Sequence, residues 1–181
     1  MHINTFHSNQ IAEMIESYQL DIGFVYEKVR NDKLIINKAF SEQMYLICNK
    51  DSQYYENISI EHLDGKNEIF IYWGTDYLVW HDRYWSPKTR PYVTVNTGSM
   101  MINYLMQSKT LWALAPISVI KSMRFTSDLV CYPITPSPDL TCYQIQHRYP
   151  KPSHIHGIEL FNKYLNEFLD SCEWITNLAN L

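Results

Sequence analysis

Seven histidines, four cysteines and two strand-to-helix turns are where chemistry could reside in this 181-residue sequence. His154 and His156 form a close pair at the start of a helical stretch. Residues two apart on a helix point to different sides, so they do not share a metal ion, and no metal site is expected. His81, beside Asp82 and Trp85, has the makings of a general base, but an amphipathic surface helix explains it more simply. Cys48, Cys131, Cys142 and Cys172 are widely spaced, with no C-x-x-C pattern. They read as buried, reduced thiols, Cys48 within an apolar run and Cys172 on a helix. With five glycines there is no G-x-G-x-x-G, no G-x-x-x-x-G-K and no G-x-S-x-G, so no cofactor is expected.

Three places have the chemistry of a binding site instead. Tyr72-Trp73-Gly74-Thr75-Asp76 leads from a strand into a helix, with a glycine that permits close backbone approach. Asn96-Thr97-Gly98-Ser99 opens the next helix in the same way. Amide N–H groups and hydroxyls at a helix start suit a carboxylate or similar anion. The stretch Asp21–Tyr26 ends in a phenol, where α/β sheets commonly place ligands. Each feature alone is also ordinary capping chemistry. Their recurrence at strand ends is what points to a cleft for a small polar ligand.

The elements that must position these turns alternate along the chain. Strands are expected at Met1–Phe6, Leu20–Tyr26, Leu34–Phe40, Gln43–Asn49, Glu68–Tyr72, Tyr92–Asn96, Leu111–Ala115, Leu129–Pro133 and Leu140–Arg148. Helices are expected at Asn9–Ser17 (capped by Ser8), Asp76–Arg83, Ser99–Gln107, Ser118–Arg124 and His154–Leu178, with a helical turn at Ser59–Leu63. In the last helix Ile158, Phe161, Tyr164, Leu165, Phe168, Leu169, Cys172 and Ile175 make one core-facing stripe. The alternation predicts an α/β fold with mostly parallel sheets, and its uneven spacing predicts two lobes. The chain would enter the second lobe near Gln43 and return near Gln146.

Composition narrows the function. Hydrophobic residues are 46% of the chain, enough for a packed core and against disorder. No apolar run approaches the ~20 residues of a membrane span, and the first ten residues lack a signal-peptide pattern. A cytoplasmic protein without membrane contact is therefore expected. The net charge is −4, and no two of the 15 Lys and Arg residues are adjacent. Phosphate binding needs clustered cations, so the chain should not grip DNA by itself.

The order of segments resembles the LysR-type transcriptional regulators. Leu20-Asp21-Ile22-Gly23-Phe24-Val25 followed by Glu42-Gln43-Met44-Tyr45-Leu46-Ile47 is similar to that family's L-D strand and its crossover strand. Ile58–Leu63, Ile71–Tyr77, Val93–Ser99 and Trp112–Pro116 resemble its next helix and the core strands of its second lobe. The resemblance implies a two-lobed fold like type II periplasmic binding proteins. Residues 1–43 and 146–181 would form lobe I, its first strand and helix missing, and residues 44–145 lobe II. It implies a small-molecule effector, often a carboxylate, in a cleft lined by Tyr26, by Trp73, Gly74 and Thr75, and by Thr97, Gly98 and Ser99. It also implies a homodimer, and contact with DNA only through an N-terminal domain absent from this chain. The family has glycines where this chain has Tyr18-Gln19 and Gln107–Thr110, so both turns are expected to differ locally.

Three functions follow, in order of preference. The first is an effector-sensing domain rather than an enzyme. The second is a solute-binding protein of the same architecture. The third is an enzyme using Cys48, His81 or His147.

Overall fold

Two long strands, β2 (Leu34–Asn49) and β7 (Asp139–His147), carry the chain between two compact units. Unit 1 comprises Met1–Ser41 and Thr141–Leu181, and unit 2 comprises Glu42–Leu140. The computed structural model describes residues 2–122 and 127–179.

In unit 1, helix α1 (Ser8–Glu16) precedes strand β1 (Ile22–Val25), which runs antiparallel to β7 with Ile22 opposite Gln146. The helix starts one residue earlier than its capping serine implied, because Gln10 Oε1 accepts from the His7 amide at 3.2 Å and makes His7 the cap. Its inward residues Ala12 and Ile15 pack with Val25, Leu34 and Ile145. Close approach of helix to sheet depends on Gly23, where an added Cβ would lie 2.3 Å from Ile11 Cγ2.

Four expectations for unit 1 and the strand that leaves it change. Residues 2–6, expected as a strand, are exposed and without regular structure. No strand among the described residues pairs with them, and an extended segment without ladder hydrogen bonds is not a strand. The two strands expected at Leu34–Phe40 and Gln43–Asn49 are one strand of 16 residues. The last helix, α5 (Ile155–Ser171), ends at Ser171 rather than Leu178. The chain then turns, and strand β8 (Thr176–Asn177) pairs antiparallel with β2, Phe40 opposite Asn177. The α5 stripe also divides. Ile158 and Leu169 are buried and Phe161 and Leu165 half-buried, whereas Tyr164 and Phe168 are more than half exposed. Eight apolar positions span more arc than one contact face can cover.

In unit 2, the second half of β2 runs antiparallel to both β5 (Trp112–Pro116) and β6 (Leu129–Pro133). Covered along this stretch, Met44, Leu46, Ile47 and Cys48 are fully buried. Strands β3 (Ile69–Phe70) and β4 (Val93–Thr94) are parallel, and Glu68 forms a parallel bridge to Trp112 of β5. The helices are α2 (Thr75–His81), α3 (Gly98–Gln107) and α4 (Ile117–Ser122). Of the helix expected at Ser118–Arg124, Met123 and Arg124 lie outside the described residues.

The α/β composition is as expected, but mostly parallel sheets are not what forms. β1 with β7, and β2 with β5, β6 and β8, are all antiparallel; β3 with β4 and two single bridges, Ser59 with Thr135 and Glu68 with Trp112, are parallel. Strand–helix alternation predicts parallel neighbours, but a strand that leaves one unit for the other meets its neighbours head to tail.

Candidate functional site

The two turns singled out in the sequence leave the same sheet edge. Because β3 and β4 are parallel, the segments following their C-terminal ends emerge together, and each opens a helix. The Val95 amide donates to Phe70 O at 2.9 Å, extending the pairing toward these turns.

The first turn is shaped by Trp73 and Gly74. Trp73 Nε1 donates to Leu114 O of β5 at 3.0 Å, which anchors the indole to the neighbouring strand. Gly74 has φ 99°, a backbone conformation that a side chain opposes, and is the residue immediately before α2. The Tyr72 hydroxyl lies 3.0 Å from Thr75 Oγ1. At the second turn, Thr97 Oγ1 accepts from the Met100 amide at 3.3 Å and so caps α3. Thr97 and Ser99 are exposed and Gly98 half-buried. Tyr26 is half-buried, directly after β1 in unit 1.

Glu42 and Ser118 were not read from the sequence as a site. Buried Glu42, on β2, accepts from the Ser118 amide at 2.7 Å and from the Ser118 hydroxyl at 2.9 Å. This chain thus places a carboxylate of its own at the start of α4, the helix that follows β5. A Glu in the middle of a long strand carries no sequence signal for such a contact, since the helix it caps is 75 residues away.

The candidate nucleophile and bases serve the fold. Cys48 is fully buried, and burial pushes its thiol up, away from the thiolate form. His147 accepts the Tyr149 amide at Nδ1, 2.9 Å, and its ring lies 4.2 Å from that of Tyr18. His81, expected on a surface helix, is buried, with Nε2 2.9 Å from Glu68 Oε2. His154 is tied to Asp21 at 2.6 Å. Among the described residues, no group of three or more His, Cys, Asp or Glu could hold a metal ion, and no helix is long and apolar enough to cross a membrane.

The LysR substrate-binding domain model matches residues 1–167. The chain belongs to that family. Full-length OxyR C199D from Pseudomonas aeruginosa is similar in structure to this LysR substrate-binding domain, with a TM-score of 0.74 at 15% identity. The match covers 91% of this chain and 58% of that one. Full-length CbnR in complex with its target DNA gives a TM-score of 0.72 at 13% identity, over 92% of this chain and 59% of that one. The reduced OxyR regulatory domain from Pseudomonas aeruginosa gives 0.73 at 14% identity, over 90% of this chain and 78% of that one. The LysR substrate-binding domain described here thus spans less than two thirds of the full-length regulators it matches. A comparison with curated proteins finds no match.

Proposed function

We propose that this LysR substrate-binding domain senses a small polar effector, a carboxylate or similar anion. The ligand would be held in unit 2 at the Trp73-Gly74-Thr75 turn and the Thr97-Gly98-Ser99 helix start. The observation that carries the reading is the common edge: parallel β3 and β4 each end in a turn that starts a helix. Positive helix starts and hydroxyls at such an edge suit an anion, and Glu42 at the head of α4 is the same chemistry supplied internally. Tyr26 lies in the other unit, and its contribution is tested by its own substitution, Tyr26→Phe.

As the sensing part of a longer regulator, the domain would reach DNA through an N-terminal domain and would pair with a second copy. The scattered cations of a chain with net charge −4 support a division in which DNA contact lies elsewhere. Thermal melting in a panel of small organic acids tests the reading. A binding acid at 100 times its Kd adds about 2.7 kcal/mol of stability. The expected result is a raised Tm with one class of acid, reduced in Thr97→Val and Thr75→Val, and no shift with duplex DNA. Tight DNA binding with no acid shifting the Tm would sink it.

A further inference from the structure

A buried pair in unit 2, Glu68 and His81, takes no part in the proposed effector site. Glu68, immediately before β3, is 2% exposed, and His81, in the last turn of α2, is 8% exposed. His81 Nε2 lies 2.9 Å from Glu68 Oε2 and 3.2 Å from Oε1, so the imidazole spans both carboxylate oxygens. Its other nitrogen, Nδ1, lies 3.4 Å from Asp82 Oδ1. The rings of Phe70, Tyr77 and Trp85 surround the imidazole at centroid distances of 5.1, 5.8 and 4.8 Å. The charged and titratable groups acting on this cluster are Glu68 from the β3 side, Asp82 at the end of α2, and Tyr77, whose hydroxyl is kept protonated by burial and then by the charge of Glu68.

We propose that Glu68 and His81 form a proton-held clasp that ties α2 to β3 and loosens as rising pH removes the imidazolium proton. With both ring nitrogens protonated, His81 donates toward Glu68 and Asp82 at once. Loss of one proton removes one of those bonds and leaves a buried carboxylate without a countercharge. It also removes the cation that offsets Asp82 at the negative end of α2.

The direction of the proton linkage agrees. Burial disfavours the His81 cation, but hydrogen bonds and charge from Glu68 and then Asp82 outweigh it and hold His81 above its ordinary value of 6.5. A raised histidine contributes stability that is fully present below about 6.5 and is lost as pH rises through the folded-state value. Burial raises Glu68 as well, with His81 pulling the other way. Both groups hold their protons more tightly when folded, so stability falls with rising pH across each. The clasp stands whether or not the Gly74–Thr75 turn takes a ligand.

The test uses the full 181-residue chain. NMR titration with ¹³C-labelled histidine is assigned by comparison with His81→Gln, alongside hydrogen exchange of the 76–82 amides. The expected result is a His81 midpoint above 6.5. Exchange of the α2 amides, normalised to intrinsic rates, should accelerate at least tenfold through that midpoint and not in His81→Gln. Between pH 6 and pH 9 the Tm of the parent chain should fall by roughly 2–4 °C relative to His81→Gln. A midpoint at or below 6.5, or α2 exchange indifferent to the titration, overturns the proposal. Should His81→Gln fail to fold, Glu68→Gln serves: the His81 midpoint must then fall below that of the parent chain, and an unchanged midpoint overturns it.

Discussion

Tyr18 shows how one side chain can stand where glycine is the easier choice. It has φ 60° at the turn after α1, a left-handed conformation that costs a non-glycine residue about 1–2 kcal/mol. The turn closes with the Gln19 amide donating to Met14 O at 2.8 Å, so the glycine-type geometry is kept rather than altered as the sequence suggested. Its ring rests on His147, and Lys151 Nζ donates to its carbonyl at 3.2 Å. Tyr18→Ala keeps the strain and loses the ring contact, whereas Tyr18→Gly loses the contact but also relieves the strain. Urea melts should therefore place the glycine variant about 1 kcal/mol above the alanine variant. At the other turn where the family has glycines, Ser108 is extended, at φ −139°. At Gly74 the argument reverses. Gly74→Ala forces a side chain onto φ 99° and should cost about 1–2 kcal/mol in the same assay.

At the scale of elements, close packing decides how tolerant each contact is. Gly23 lets α1 approach β1, and an added methyl group meets the branched Ile11 side chain, with Ile15 and Ile145 behind it. Overpacking of this kind costs about 1–3 kcal/mol, so Gly23→Ala should lower the Tm and leave the unit 2 turns intact. Helix α4 depends on a contact from outside itself. Replacing Glu42 by Gln removes the charge from a pair of short hydrogen bonds to Ser118, which should cost about 1–2 kcal/mol, measured by chemical denaturation. The periodic elements were legible because their signals are local: α1 and α3 lie within one residue of expectation, and Leu129–Pro133 matches its expected ends. The strand expected at Met1–Phe6 and the tail of α5 were not, because a strand exists only with a partner and a helix ends where tertiary pairing wins.

For the whole molecule, α5 presents an outward row, Leu160, Tyr164 and Phe168, at 45%, 59% and 56% exposure. These residues are four apart and lie on one face, so they suit the expected pairing with a second copy. Tyr164→Glu combined with Phe168→Glu should shift the chain toward monomer in analytical ultracentrifugation and remove any dependence of Tm on protein concentration. An unchanged oligomeric state would place the pairing surface elsewhere. The turns proposed to hold the effector are in unit 2 and the α5 row is in unit 1, so loss of dimer and loss of acid-induced stabilisation are separable in this experiment.

Readable along the chain were the α/β composition, the two turns that open helices after strands, the lack of clustered cations and the family. Those rest on local periodicity, on turn chemistry and on the order of segments, all of which are written along the chain. Tertiary structure alone decided that β2 is one continuous strand with antiparallel neighbours and that Glu42 caps α4. It also turned His81 from an expected surface residue into the buried partner of Glu68. Pairing direction and burial depend on residues far apart in the chain meeting in space, from 13 positions for Glu68 and His81 to 137 for Phe40 and Asn177, and hydrophobic periodicity holds no information about which of them will meet.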